Sequence, residues 1–384
     1  MNVYFDNAAT TRPHPRVIEI IKKNLAEDFG NPSSAHSFGR RARVLIEDAR
    51  ETIANFIGAD SSEIYFTSGG TESNNFVIYG IPIAELKESR RNKLIVSKAD
   101  HHSIIDSAEK LSAYGLNSCF LPVNAETRVE LETLKKSLDE KTSFVSLIHI
   151  NNESGSINDI KSLSPLCKSE NVYFHTDAVQ SFAKIPIDVR NLGVDSLSAS
   201  SHKIYGPKGA GFTYIKSGTP ITPLITGGSQ ERNRRGGTEN VASILGFAEA
   251  VRLAQNEMKQ NFEHVTGIRS EFIKGLSNID KDGIILNGGE DAHPYILSIT
   301  FSAGYYRIDA EAILMFLDIN GVAASNGAAC TSGTLKPSHV ILASGKSEAD
   351  AKGTIRFSFS NENTIEEVNY ALDVLSNLAR KLRI

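Results

Sequence analysis

The sequence predicts an α/β fold: a mostly parallel sheet in a large domain, with a smaller α+β domain completed by the C-terminal part of the chain. Three observations carry this expectation. Short apolar segments alternate with helical patterns through the middle of the chain, which argues for a parallel sheet covered on both faces. A glycine-rich turn, Thr67-Ser68-Gly69-Gly70-Thr71, joins a short strand to a helical pattern. A separate amphipathic helix ends the sequence, well after the last alternating unit.

Taken in order, Val17, Ile20, Ile21 and Leu25 share one face of a first helix. Residues 64–66 read as the strand before the glycine-rich turn. Further strands are expected at residues 94–97, 144–150, 172–175, 196–200 and 211–215. A charged, helix-like stretch at residues 249–262 suggests a boundary near 255. The large domain is therefore expected over residues 15–255, and the small one from residues 1–14 together with 256–384. Residues 354–359 are strand-like. Ile365, Val368, Leu372, Leu375, Leu378 and Leu382 mark the last helix, and Thr364 and Glu367 have capping-box spacing at its start.

Composition narrows the function classes. The 384 residues are 40% hydrophobic and 22% charged, as in a soluble globular protein. Net charge is -4, so no polyanion-binding surface is indicated and nucleic acid is not an expected partner. The N-terminus lacks a basic-then-apolar layout, and no apolar run could span a membrane. Cys119, Cys167 and Cys330 are too few and too scattered for a disulfide framework or a zinc site. A reducing cytoplasmic location is expected.

The chemistry centres on Ser200-Ser201-His202-Lys203, which leads directly into Ile204-Tyr205-Gly206-Pro207. This places a lysine on the rim of the sheet, after a strand and before a tight turn. A held, partly desolvated lysine has a lowered pKa and can form a Schiff base with an aldehyde. A solvated surface lysine in a turn is the competing reading. Asp177, 26 residues earlier and at the end of another strand, weighs against it. A carboxylate beside a pyridine nitrogen keeps that nitrogen protonated, which is what pyridoxal 5'-phosphate (PLP) requires. The turn at Gly70-Thr71 opens a helix and exposes backbone N–H groups, which suits a phosphate.

With these blocks in place, the sequence resembles the cysteine desulfurases, fold-type I PLP enzymes of the class V aminotransferase group. The similarity runs from Asp6-Asn7-Ala8-Ala9 to Thr354-Ile355-Arg356-Phe357-Ser358 and so covers nearly the whole chain. It implies that Gly70, Thr71, Ser200 and His202 hold the PLP phosphate, with Thr238 contributing from the other subunit of a homodimer. It implies that His101 lies over the PLP ring and moves protons, a role that suits an imidazole. Asp177 then pairs the ring nitrogen, Gln180 donates to the phenolic oxygen, and Lys203 carries the cofactor. Asn152 contacts substrate and cofactor, Arg356 binds the substrate carboxylate through its two-donor fork, and Asn7 lines the substrate pocket.

The resemblance also assigns Cys330 as the nucleophile. Ala324-Ser325-Asn326-Gly327-Ala328-Ala329-Cys330-Thr331-Ser332-Gly333 is small, polar and glycine-rich, the composition of a loop. A loop thiol can approach the site and leave it, as a sulfur carrier must. Cys119 and Cys167 lack such surroundings and read as structural. The implied reaction converts L-cysteine to L-alanine and leaves a persulfide on Cys330 for an acceptor such as an iron–sulfur scaffold protein. Thr331-Ser332-Gly333 and the loop length resemble the housekeeping iron–sulfur assembly branch. Asn326 and Ala328 depart from the serines common in this loop. The chain ends at Ile384, directly after its last helix, whereas some members of that branch carry a longer tail that docks a scaffold. Three alternatives stay open here: a selenocysteine lyase, an ordinary PLP aminotransferase and a non-catalytic binding protein.

Overall fold

The computed structural model describes residues 1–326 and 336–384. Twelve strands occur among them: β1 (Val3–Tyr4), β2 (Ile64–Thr67), β3 (Lys93–Ser97), β4 (Asn117–Leu121), β5 (Thr142–Ile148), β6 (Tyr173–Asp177), β7 (Ser196–Ser200), β8 (Gly211–Ile215), β9 (Ile284–Leu286), β10 (Ile296–Phe301), β11 (Val322–Ala323) and β12 (Thr354–Ser358). Seven form the central sheet, in the order β2-β8-β7-β6-β5-β3-β4. Only β8 runs against its neighbours; the other pairings are parallel. Strands β1, β4, β9, β10 and β11 lie outside the segments expected from sequence.

Alternation along the strands explains why both faces are covered. Ile95, Val145, Leu147, Phe174, Leu197, Ala199 and Phe212 point into one core, shared with Ile46, Ile53, Ile244 and Phe247 from helices Ser37–Phe56 and Val241–Asp280. Their neighbours Leu94, Val96, Phe144 and Ile215 point the other way, onto Phe76, Ile81 and Ile104. Successive side chains on a strand face opposite sides, so each strand serves both layers.

A second core lies beyond the sheet. It is built on the antiparallel strands β12-β10-β9, with Phe272, Leu297, Phe301, Phe357, Val368 and Leu375. The N-terminus joins it: β1 pairs in parallel with β11, and Phe5 packs edge-on against Phe272 and Phe359. Helix Val241–Asp280 runs unbroken through both cores, Ile244 to Leu253 serving the first and Val265 to Leu276 the second. The final helix, Ile365–Leu382, has both bonds of the expected capping box: Glu367 N–H to Thr364 Oγ1 at 3.3 Å and Thr364 N–H to Glu367 Oε2 at 3.1 Å. No helix among the described residues is long and apolar enough to cross a membrane.

Candidate active site

Strands β2, β3, β5, β6 and β7 all run the same way, so their carboxyl ends share one edge of the sheet. Ligands of open α/β sheets bind beyond that edge. A cavity of about 360 Å³ lies there. Gly70, Thr71, His101, Asn152, Asp177, Gln180, Ser200, His202, Lys203 and Arg356 all line it, with Ala8 and Ala9 of the N-terminal segment. Each strand end delivers its share. Gly70 opens the helix after β2, His101 follows β3, Asn152 follows β5, Asp177 ends β6, and Lys203 lies in the single turn after β7.

Lys203 Nζ donates to the carbonyls of Ala8 at 2.5 Å and Ala9 at 2.8 Å. Burial and then the Arg356 cation lower its pKa to about 8, against the opposing pull of Asp6 and Asp177. Asp177 is buried, and its carboxylate accepts from Asn74 Nδ2 at 2.7 Å and from the Val179 N–H at 2.9 Å. Gln180 Nε2 donates to the Ala8 carbonyl at 2.9 Å, while its Oε1 accepts from Lys184 Nζ at 3.0 Å. Lys184 is itself buried, and desolvation, reinforced by Lys203 and Arg356, lowers its pKa to about 7. His202 is brought down to about 4 by burial and then by Lys203, Lys208 and Lys184, so it is neutral near pH 7.

Arg356 reaches the cavity from β12. Its Nη1 donates to the Asn152 carbonyl and its Nη2 to Asp6 Oδ1, both at 2.8 Å. Its backbone pairs with Ser325, immediately before the stretch that carries Cys330. Cys330 itself lies outside the described residues. Thr238 is exposed and does not line the cavity. Asn7 is one residue short of the lining; its amide donates to the Ser358 carbonyl at 3.0 Å. Cys119 is half-buried in β4. Cys167 is fully buried, and desolvation pushes its thiol up to about 12, out of the range of a nucleophile.

Several contributors escaped the sequence reading. Asp6 pairs with Arg356, Asn74 with Asp177, Ser103 with His101, and Lys184 with Gln180. Of these, Ser103 lies two residues after His101 and Lys184 four after Gln180, and Asn74 also had a local signal. It falls one helical turn after Gly70 and so shares its face.

The residues present fit PLP. Helix Gly70–Glu88 starts at the cavity, and a Cβ on Gly70 would come within 2.8 Å of Val179 Cγ2, so a larger residue there would have to push that side chain aside. Ser200 Oγ, Asn152 Oδ1 and Arg356 Nε are buried and lack hydrogen-bond partners among the described residues. Buried polar atoms are seldom left unpaired without a reason. A phosphate beside Ser200 and the helix start would take the Ser200 hydroxyl, a carboxylate beside Arg356 its Nε–H, and a ligand N–H would be needed for the Asn152 oxygen.

Comparison with known proteins agrees. The Aminotransferase class-V family matches residues 3–371. Cysteine desulfurase IscS of Dictyoglomus turgidum is 47% identical over 381 residues, 99% of this chain and 95% of that protein. Cysteine desulfurase IscS of Clostridium botulinum is 40% identical over 382 residues, again 99% of this chain and 95% of that protein. Among solved structures, a NifS-like protein superposes with a TM-score of 0.91 at 37% identity, covering 100% of both chains. SspA in complex with cysteine superposes at 0.82 and 32% identity, over 94% of this chain and 100% of that one. With the lysine, the aspartate and the arginine gathered at the carboxyl edge of a sheet of this topology, the chain belongs to the class V aminotransferase family and, within it, to the cysteine desulfurases.

Proposed function

We propose that this protein is a PLP-dependent cysteine desulfurase that converts L-cysteine to L-alanine and keeps the sulfur as a persulfide on Cys330. The observation that carries this reading is the convergence of Lys203, Asp177 and Arg356 in one cavity, with the lysine held at a pKa of about 8. Lys203 would hold the cofactor covalently, Asp177 would face the ring nitrogen, Gln180 the phenolic oxygen, and Gly70, Thr71, Ser200 and His202 the phosphate. Bound there, PLP supplies an electron sink for the pair released when a substrate Cα–H bond breaks.

The chain's own groups supply the rest. The Lys203 amine, with its depressed pKa, is a base suited to the α-proton near neutral pH. Arg356 binds the substrate carboxylate beside Asn152. The Cys330 thiolate takes the sulfur, and the stoichiometry balances: cysteine plus the Cys330 thiol gives alanine plus the Cys330 persulfide. The substrate Cβ–S bond breaks, an S–S bond forms, and Cβ gains a hydrogen. The other two cysteines do not compete, since Cys167 is deeply buried and Cys119 lies in an edge strand away from the cavity.

The sulfur goes to an acceptor protein, with an iron–sulfur scaffold as the first candidate. The enzyme works as a cytoplasmic homodimer in which Thr238 completes the neighbouring phosphate site; its exposure and its absence from the lining of its own cavity suit that role. The large domain spans residues 15–255, and residues 1–14 with 256–384 form the small one. The test is incubation of the purified protein with L-cysteine, measuring alanine, sulfide released by a thiol reductant, and the mass of the Cys330 peptide. Equimolar alanine and sulfide, with one added sulfur on that peptide, are expected. Keto-acid-dependent amino transfer without sulfur release would overturn the reading.

A further inference from the structure

We infer that Ser103 and Asn74 lock His101 in the Nε2–H tautomer, so that the ring meets the cavity as a hydrogen-bond donor while Nδ1 stays an acceptor. The hydrogen positions follow from groups that can play only one part. His101 caps helix His102–Lys110, and its Nδ1 lies 3.1 Å from the Ser103 backbone nitrogen. A backbone N–H can only donate, so Nδ1 must offer its lone pair.

The rest of the chain of bonds agrees with that choice. Ser103 Oγ lies 2.8 Å from the same Nδ1. Behind it, buried Asn74 places Nδ2 2.9 Å from Ser103 Oγ and 2.7 Å from Asp177 Oδ2. A carboxylate accepts, so it orients the Asn74 amide nitrogen toward itself. The second amide hydrogen then goes to Ser103 Oγ, and the Ser103 hydrogen points at Nδ1. His101 Nε2 has no hydrogen-bond partner among the described residues, and the ring lines the cavity.

This arrangement links the residue expected over the cofactor ring to the one expected beside its nitrogen. It also resists protonation of His101. A second proton would have to sit on Nδ1, which would break the helix cap and turn the Ser103 hydroxyl away. Of the groups around the ring, Asp177 and Glu153 favour the imidazolium, while desolvation, Lys203 and His102 oppose it, and the net effect lowers the pKa. Ser103 and Asn74 are thus positioning residues, acting through His101. The tautomer does not depend on which substrate is bound; its effect on turnover rests on the desulfurase reading.

The test is 15N NMR of holoenzyme carrying labelled histidine, with His101→Gln to assign the resonances. At pH 7.5 Nδ1 should be unprotonated and Nε2 protonated. In Ser103→Ala, Nδ1 keeps the backbone donor but loses the hydroxyl. Its pKa should rise, the acid limb of kcat/KM for L-cysteine should move to higher pH, and kcat/KM should fall about fivefold, the effect of one hydrogen bond. Ser103→Thr should restore both. A proton on Nδ1 in the wild type would overturn the inference, as would an unchanged pH profile in Ser103→Ala. Absence of any turnover of cysteine would sink the desulfurase reading alone, because the NMR result stands apart from it.

Discussion

Replacing Arg356 by lysine probes the substrate site most directly. Arg356 is 5% exposed, and two of its five N–H groups are engaged by the Asn152 carbonyl and Asp6 Oδ1. Nε, buried and unpartnered, is left beside the cavity for a carboxylate. Lysine keeps the charge but offers a point donor where arginine offers a planar fork. One charge-assisted bond to the substrate carboxylate is then lost, about 1.5–3 kcal/mol, or roughly 10- to 150-fold. The carboxylate does not change during carbon–sulfur cleavage, so this loss should raise KM and leave kcat nearly unaltered. Initial rates of alanine formation across a range of L-cysteine concentrations measure both constants, with the visible cofactor band as a check on folding. A KM within twofold of wild type would refute the clamp. So would a loss confined to kcat with the cofactor band intact.

Other outcomes follow from the same geometry. The rate at which apoprotein captures pyridoxal phosphate should rise with pH through about 8, as Lys203 loses its proton, and level off above that; a rise continuing toward pH 10.5 would show an unperturbed lysine. Lys203→Ala should no longer be fixed to the cofactor by borohydride, and covalent trapping on another lysine would displace the assignment. Cys330→Ser should bind the cofactor and L-cysteine but release no sulfide, because a serine hydroxyl is a far poorer nucleophile toward sulfur. Glu231→Gln should destabilise the fold by about 3 kcal/mol in denaturant unfolding, since it strips the buried charge partner from Arg50, which is 1% exposed and bonds both Glu231 oxygens, at 2.7 and 2.9 Å, and leaves it only the half-exposed Glu47.

Much of the site could be read from sequence because its groups sit at fixed offsets from strand ends. Asp177 closes β6, Lys203 follows β7 by one turn, and Gly70 begins the helix after β2, so local pattern and chemistry coincide. Two of the pairs that escaped reading, Ser103 with His101 and Lys184 with Gln180, are local; the others are what the fold joins across distance. Asp6 and Arg356 are 350 residues apart, and Asn74 and Asp177 are 103 apart. No periodicity reports such pairs. Strand β10, Ile-Leu-Ser-Ile-Thr-Phe, was missed because a short apolar run does not separate a buried strand from a buried helical turn. Strand β4, an edge strand with a largely half-exposed Asn-Ser-Cys-Phe-Leu pattern, carries too little apolar alternation to stand out. Helix Val241–Asp280 reads as interrupted near its charged middle because its buried residues switch there from one core to the other.

That division gives the N-terminal segment its place in the chemistry. Residues 6 to 9 have no catalytic group of their own beyond Asp6, yet each end of the cavity is fastened to them. Asp6 holds Arg356, the Ala8 carbonyl accepts from both Lys203 and Gln180, and the Ala9 carbonyl accepts from Lys203 again. The Ala8 N–H in turn donates to Ser358 Oγ at 2.8 Å, on the strand that carries Arg356. The same short stretch therefore ties Arg356, on a strand near the C-terminus, to the lysine of the central sheet. Both cores must be in place before the segment can bind both partners, so the electrostatic setting that lowers the Lys203 pKa, in which Arg356 is the largest contribution after burial, belongs to the assembled chain and to neither core alone. A bound substrate carboxylate at Arg356 would partly neutralise that cation, letting the Lys203 pKa rise just as the substrate enters. Substrate binding would therefore trade part of the free-amine fraction near neutral pH for a more basic amine.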